Sequence, residues 1–156
     1  MNKSNKIFKQ RNKSKSKKEI NRFDDSACNQ ADEPSRYIAK NKISLTQNNR
    51  ITYIYRILDT GRVVEVICVS LEIRYGEKWR TIIYYDNHHD FLHRHERINL
   101  ETSSDITTTN GVRQKGTNRR LLRWAIQDIS NNYISYKLKF LKRCNFEQSK
   151  IYEILT

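Results

Sequence analysis

Two short glycine turns constrain this chain more than any other feature. Asp59-Thr60-Gly61 and Tyr75-Gly76-Glu77 separate three runs, 51–58, 62–74 and 78–86, that are dense in β-branched and aromatic residues. Such residues fit a pleated, half-buried surface better than they fit a helix. Gly61 suits the positive φ that a three-residue hairpin loop requires. Turns this short join only antiparallel neighbours, so the three runs read as a meander. In the third run, alternation predicts Trp79, Thr81, Ile83 and Tyr85 on one face and Arg80, Ile82 and Tyr84 on the other.

Residues 92–100 are expected as a fourth strand, with His93, His95 and Arg97 on one face and Arg94, Glu96 and Ile98 on the other. The segment 101–117 is polar apart from Ile106 and Val112, contains the turn signal Asn110-Gly111, and is expected as a mobile loop. After Asn118, an apt N-cap, the period changes. Leu122, Ile126, Ile129, Tyr133 and Tyr136 recur at spacings of four and three, with Ala125 and Phe140 extending the stripe. The expected class is α+β: an antiparallel four-stranded meander with one long C-terminal helix packed on one face. A last short helix is expected at 147–155.

Charge divides the chain further. Residues 1–18 carry eight Lys or Arg and no acid, within a formal net charge of +13. A disordered basic tail is expected over 1–35, a linker contributing a short strand or turn over 36–50, and a single α+β domain over 51–156. Lys13, Lys15, Lys17 and Lys18 in the tail, with Arg119, Arg120 and Arg123 at the helix start, suit a polyanion such as nucleic acid. A solvated tail and a solvated helix start account for the same residues. Cys28, Cys68 and Cys144 form no C-x-x-C pair, which argues against a disulfide framework and fits a reducing, cytoplasmic setting. No apolar stretch is long enough to cross a membrane. The chain has no glycine-rich phosphate loop and no serine-nucleophile motif, which argues against nucleotide and serine hydrolases.

All four histidines fall within residues 88–95. Three readings of that stretch compete. The first is acid–base catalysis on RNA, in which the 2′-hydroxyl attacks and no protein nucleophile or metal is needed. His89 and His93 form the proton-transfer pair, Arg94 stabilises the phosphorane, Asp86 orients an imidazole, and Tyr85 stacks on a base or supplies a hydroxyl. The second is a metal site of His93 and His95 completed by His89 or Asp86. No H-E-x-x-H signature supports it, so neither metal nor other cofactor is expected. The third is a solvated sheet rim.

Tyr85-Asp86-x-x-His89-x-Phe91-x-His93-Arg94, followed downstream by Ala125-Ile126-x-Asp128-Ile129, resembles a family of small uncharacterised bacterial and archaeal proteins. That family shares a Tyr-Asp-x-x-His-Gly-x-x-His-Arg pattern and is itself similar to the TumE-type toxins of toxin–antitoxin pairs. The resemblance covers about residues 51–140. It implies a compact α+β domain with Tyr85, Asp86, His89, His93 and Arg94 at one site, RNA as substrate and a cognate antitoxin as partner. Asp90 stands where the family prefers glycine, and His88 and His95 are additions to the pattern. The expected function is a toxin-like, metal-independent endoribonuclease. The alternatives are a non-enzymatic nucleic-acid- or ribosome-associated module and a protein-interaction partner that binds no nucleic acid.

Overall fold

The computed structural model describes residues 35–100 and 102–144, which fall in one unit spanning Pro34–Thr156. Six strands precede one helix: β1 (Arg36–Thr46), β2 (Asn49–Leu58), β3 (Val63–Tyr75), β4 (Lys78–Asp86), β5 (His93–Arg97), β6 (Asp105–Thr108) and α1 (Asn118–Arg143). The strands form one antiparallel sheet in sequence order. The α+β class and the meander are as expected, but the sheet has six strands rather than four.

The two added strands lie where the sequence offers no apolar alternation. β1 fills most of the expected linker, and its side chains are exposed along nearly the whole strand. Backbone pairing to β2, from Arg36↔Leu58 to Thr46↔Asn49, holds it rather than burial. β6 lies inside the expected loop and is ordered in the same way by pairing with β5. The expected tail with Lys13, Lys15, Lys17 and Lys18, and the expected helix at 147–155, lie outside the described residues.

A bulge corrects the expected faces of the third run. Leu71 pairs with Ile83 but Glu72 pairs with Thr81, so Ile82 is the extra residue. Ile83 and Tyr85 therefore face the helix, while Trp79, paired with Arg74, falls on the opposite face. There the Arg50 guanidinium sits 4.0 Å over the Trp79 ring while its Nε donates to Glu72 Oε2 at 2.5 Å.

On the helix-facing side, Val66, Val69, Leu71 and Ile73 of β3 and Ile83 and Tyr85 of β4 are buried. Against them α1 buries Leu122, Ala125, Ile129, Tyr136 and Phe140 of the expected stripe, together with Leu121, which was not expected, while Ile126 and Tyr133 are only partly buried. Each fully buried aliphatic side chain contributes roughly 1.5–3 kcal/mol. The N-cap is Thr117, one residue before the expected Asn118. Asn118 instead turns its amide to the sheet, where Nδ2 donates to Val64 O and Oδ1 accepts from Asn87 Nδ2.

Asn87, the first residue after β4, fastens the turn that carries the histidines. Its Oδ1 accepts from the Val66 backbone N–H at 2.8 Å, and its own backbone N–H donates to Val66 O at 3.1 Å. The side chain is buried, so losing it strands the Val66 N–H away from water. Asn87→Ala is expected to lower unfolding free energy by about 1–3 kcal/mol in urea titrations. An unchanged midpoint would show that the turn does not depend on this amide.

Candidate functional site

β4 and β5 pair without a register shift: Ile83↔Glu96, Tyr84↔His95, Tyr85↔Arg94 and Asp86↔His93. Opposed residues share a face, and neighbours alternate. The histidine motif is therefore split between the two sides of the sheet. Tyr85 and Arg94 lie toward α1. Tyr84, Asp86, His93 and His95 lie on the opposite, open face.

On the open face Asp86 stands between two imidazoles. His93 Nε2 is 3.0 Å from Asp86 Oδ1, and His95 Nε2 is 3.1 Å from Asp86 Oδ2. The His95 contact is short but lies off the hydrogen-bond line, which leaves that buried nitrogen without a hydrogen-bond partner. The Nδ1 atoms point the other way. His93 Nδ1 donates to the Phe91 carbonyl at 3.1 Å, and His95 Nδ1 faces Asp105 Oδ1 at 3.2 Å and Thr107 Oγ1 at 3.0 Å.

β6 supplies the outer support. Tyr84 donates its hydroxyl to Asp105 Oδ2 at 2.8 Å, and its ring stacks on His95 at 4.3 Å between centroids. Burial and the Asp105 hydrogen bond push the Tyr84 phenol up to about 12. Burial opposes ionisation of Asp105. Hydrogen bonds from Tyr84 and His95, with the Arg97 charge, outweigh it and hold the carboxyl below its usual range. Cys68 has its thiol pushed up to about 11, chiefly by burial, and so is a poor nucleophile at neutral pH.

His88 and His89 are exposed in the turn, where Asp90 has a φ of 65°. The His89 ring lies 5.8 Å from that of His93 at an interplanar angle of 20°. His89, Phe91 and His93 line one side of a cleft of about 360 Å³ whose other side is Thr107, Thr108, Thr109 and Asn110. Phe91 is 44% exposed there, whereas His93 is 5% exposed.

The helix-facing residues form a different assembly. The Tyr85 and Tyr136 hydroxyls both donate to Asp128 Oδ2 at 2.5 Å, and Asn132 Nδ2 donates to Asp128 Oδ1 at 3.0 Å. Arg94 lies beneath Tyr136, with Nη1 3.5 Å from its hydroxyl, and donates through Nε to Glu96 Oε1 at 3.1 Å. Arg143 Nη2 bonds the other Glu96 oxygen at 2.6 Å. These bonds tie α1 to β4 and β5.

The structure thus brings together His89, His93 and Asp86 from the expected set and separates two others from them. Arg94 cannot act as the clamp beside His93, because strand alternation turns it to the opposite face. Tyr85 is 0% exposed, so its ring offers no surface to a base. Arg119, Arg120 and Arg123 are exposed at the start of α1, and Arg119 Nη2 donates to Gly61 O at 2.8 Å. Tyr84, Asp105 and Thr107 were not expected at the site, and His95 was expected there only as a metal ligand. Alternation already put His95 beside His93, but Asp105 and Thr107 sit in a segment expected to be a loop.

The helix-side network has its own pH signature. Burial, followed by the hydrogen bonds to Asp128 and Tyr136, raises the Tyr85 phenol well above its usual value. A phenol with a raised folded pKa contributes stability that is complete below its unfolded value of about 10 and is lost as pH rises toward the folded value. Tyr85→Phe is expected to cost about 1–3 kcal/mol at pH 7, and the gap from wild type should narrow above about pH 10. A gap that stays constant in denaturation curves across that range would contradict the buried hydrogen bond.

No helix among the described residues is long and apolar enough to cross a membrane. No curated protein matches the chain, and no solved structure does. A family described as Domain of unknown function (DUF7718) matches residues 15–145, most of the 156-residue chain. This protein, with its histidine run divided across a six-stranded sheet, belongs to the DUF7718 family.

Proposed function

We propose that the chain acts on single-stranded RNA at the open-face cleft, as a toxin-like endoribonuclease in which His89 transfers the proton. The observation that carries this is the pairing of an exposed aromatic ring, Phe91, with a solvent-facing imidazole, His89, in one cleft of about 360 Å³. A base stacks on an exposed aromatic face at a gain of about 1–3 kcal/mol without regard to sequence. Thr107, Thr108, Thr109 and Asn110 make the other side of the cleft polar.

In this arrangement the 2′-hydroxyl of the bound RNA attacks the adjacent phosphorus. His89 accepts the proton from that hydroxyl, the P–O5′ bond breaks to leave a 2′,3′-cyclic phosphate, and the departing 5′-oxygen takes a proton back from the His89 imidazolium or from water. His93 is a positioning residue, because both of its ring nitrogens are already directed at Phe91 O and Asp86 Oδ1. It supports the His89 ring by stacking rather than by exchanging protons with substrate. The excess of Lys and Arg over the whole chain favours a polyanionic substrate. A cognate antitoxin as partner rests on the motif's resemblance to a family that is itself similar to TumE-type toxins.

Purified protein is expected to cleave unstructured RNA, with His89→Ala reducing the rate by about 10²–10⁴-fold. Phe91→Ala should raise KM with a smaller effect on kcat. Cleavage unaffected by His89→Ala would contradict the assignment. Salt-dependent RNA binding with no cleavage by wild type would instead support the non-enzymatic binding module.

A further inference from the structure

We infer that Asp86, His93 and His95 form a binding site for one divalent first-row metal ion of the zinc class. The inference rests on the direction of each ring nitrogen and stands whether or not RNA is the substrate. A carbonyl oxygen can only accept, so the His93 Nδ1 contact with Phe91 O requires Nδ1 to carry the proton. Asp105 Oδ1 lies 3.2 Å from His95 Nδ1 and, as a carboxylate, accepts from it in the same way. A ring protonated at Nδ1 alone presents its Nε2 lone pair. Both Nε2 atoms face the Asp86 carboxylate, at 3.0 and 3.1 Å. A carboxylate faced at this range by two ring nitrogens calls for positive charge between the three groups, which a metal ion bound to both Nε2 atoms and the carboxylate supplies.

The donor geometry suits an ion. The three ligand atoms all lie within 4.8 Å of one another. Tetrahedral donors about 2.0–2.1 Å from zinc are about 3.3 Å apart, so a shift of roughly an ångström brings all three to one centre. The ligands are fixed by the backbone. Asp86 is the register partner of His93, and His95 follows two residues along the same face. His95 Nε2, buried without a hydrogen-bond partner, gains a coordination bond to the ion.

The support around the ligands is what metal-binding histidines use. Each ring donates its other N–H to a backbone carbonyl or a carboxylate, which fixes the tautomer and raises the basicity of the ligating nitrogen. Here those partners are Phe91 O for His93 and Asp105 for His95, and Tyr84 in turn holds Asp105. Two imidazoles and one carboxylate favour Zn²⁺ and its first-row neighbours over Mg²⁺ or Ca²⁺, which prefer an all-oxygen shell. Three protein ligands leave a position for water or substrate.

The test is equilibrium dialysis of the untagged full chain against Zn²⁺, read by elemental mass spectrometry, with the Co²⁺ absorption spectrum recorded in parallel. Wild type is expected to bind one equivalent. His95→Gln and Asp86→Asn should each weaken binding at least 100-fold, and Asp105→Asn by about 10-fold. Circular dichroism identifies variants that remain folded. Should the ligand variants unfold, the wild-type Co²⁺ spectrum decides alone. Visible ligand-field bands without a thiolate charge-transfer band support the assignment, and a thiolate band or no bands overturns it. Less than one equivalent in wild type, or full binding in folded His95→Gln and Asp86→Asn, also overturns it. Metal uptake by a chain that leaves RNA intact upholds the metal site and removes the nuclease role.

Discussion

The uninterrupted antiparallel pairing of β4 with β5 governs everything else at this site. Side chains alternate across a sheet with a period of two, so the four pairs from Ile83↔Glu96 to Asp86↔His93 decide which chemistry meets which. A one-residue slip would carry Arg94 to the open face and bury both histidines toward α1. Burial of Leu92 just before β5, with the Glu96 ion pairs to Arg94 and Arg143 on the α1 side, opposes that slip. The same register that completes the core therefore assembles Asp86, His93 and His95.

The two faces do different work. Toward α1, one carboxylate, Asp128, collects two tyrosine hydroxyls and fastens helix to sheet, with Arg94, Glu96 and Arg143 continuing the seam. On the open face, one carboxylate, Asp86, collects two imidazoles beside a cleft. Tyr85 and Asp86 are adjacent in the chain and serve opposite faces. A motif that reads as one cluster in the sequence is thus a structural half and a chemical half, interleaved by alternation.

Strands β2 to β4 and the helix were legible because their patterns are produced by burial. β1 was foreseen only as a short strand or turn and β6 not at all, because exposed polar side chains carry no trace of the backbone pairing that orders them. That omission also hid part of the site. His95 was an addition to the family pattern and a candidate metal ligand only, and its partners Asp105 and Thr107 belong to β6. Bulges are equally silent in sequence: the extra residue at Ile82 moved Trp79 off the face predicted for it. Alternation did give the separation of Arg94 from His93, which removed the expected clamp.

The division of the histidine run is open to direct measurement by carbethoxylation of the intact chain with diethylpyrocarbonate, followed residue by residue with peptide mass spectrometry. His88 and His89 are exposed, while His93 and His95 side chains retain 6% and 13% of their accessible surface beside Asp86. The first pair should react rapidly and the second pair only slowly, with the difference lost in denaturant. Equal rates at all four positions, or His93 reacting first, would contradict the pairing of β4 with β5 on which the site depends.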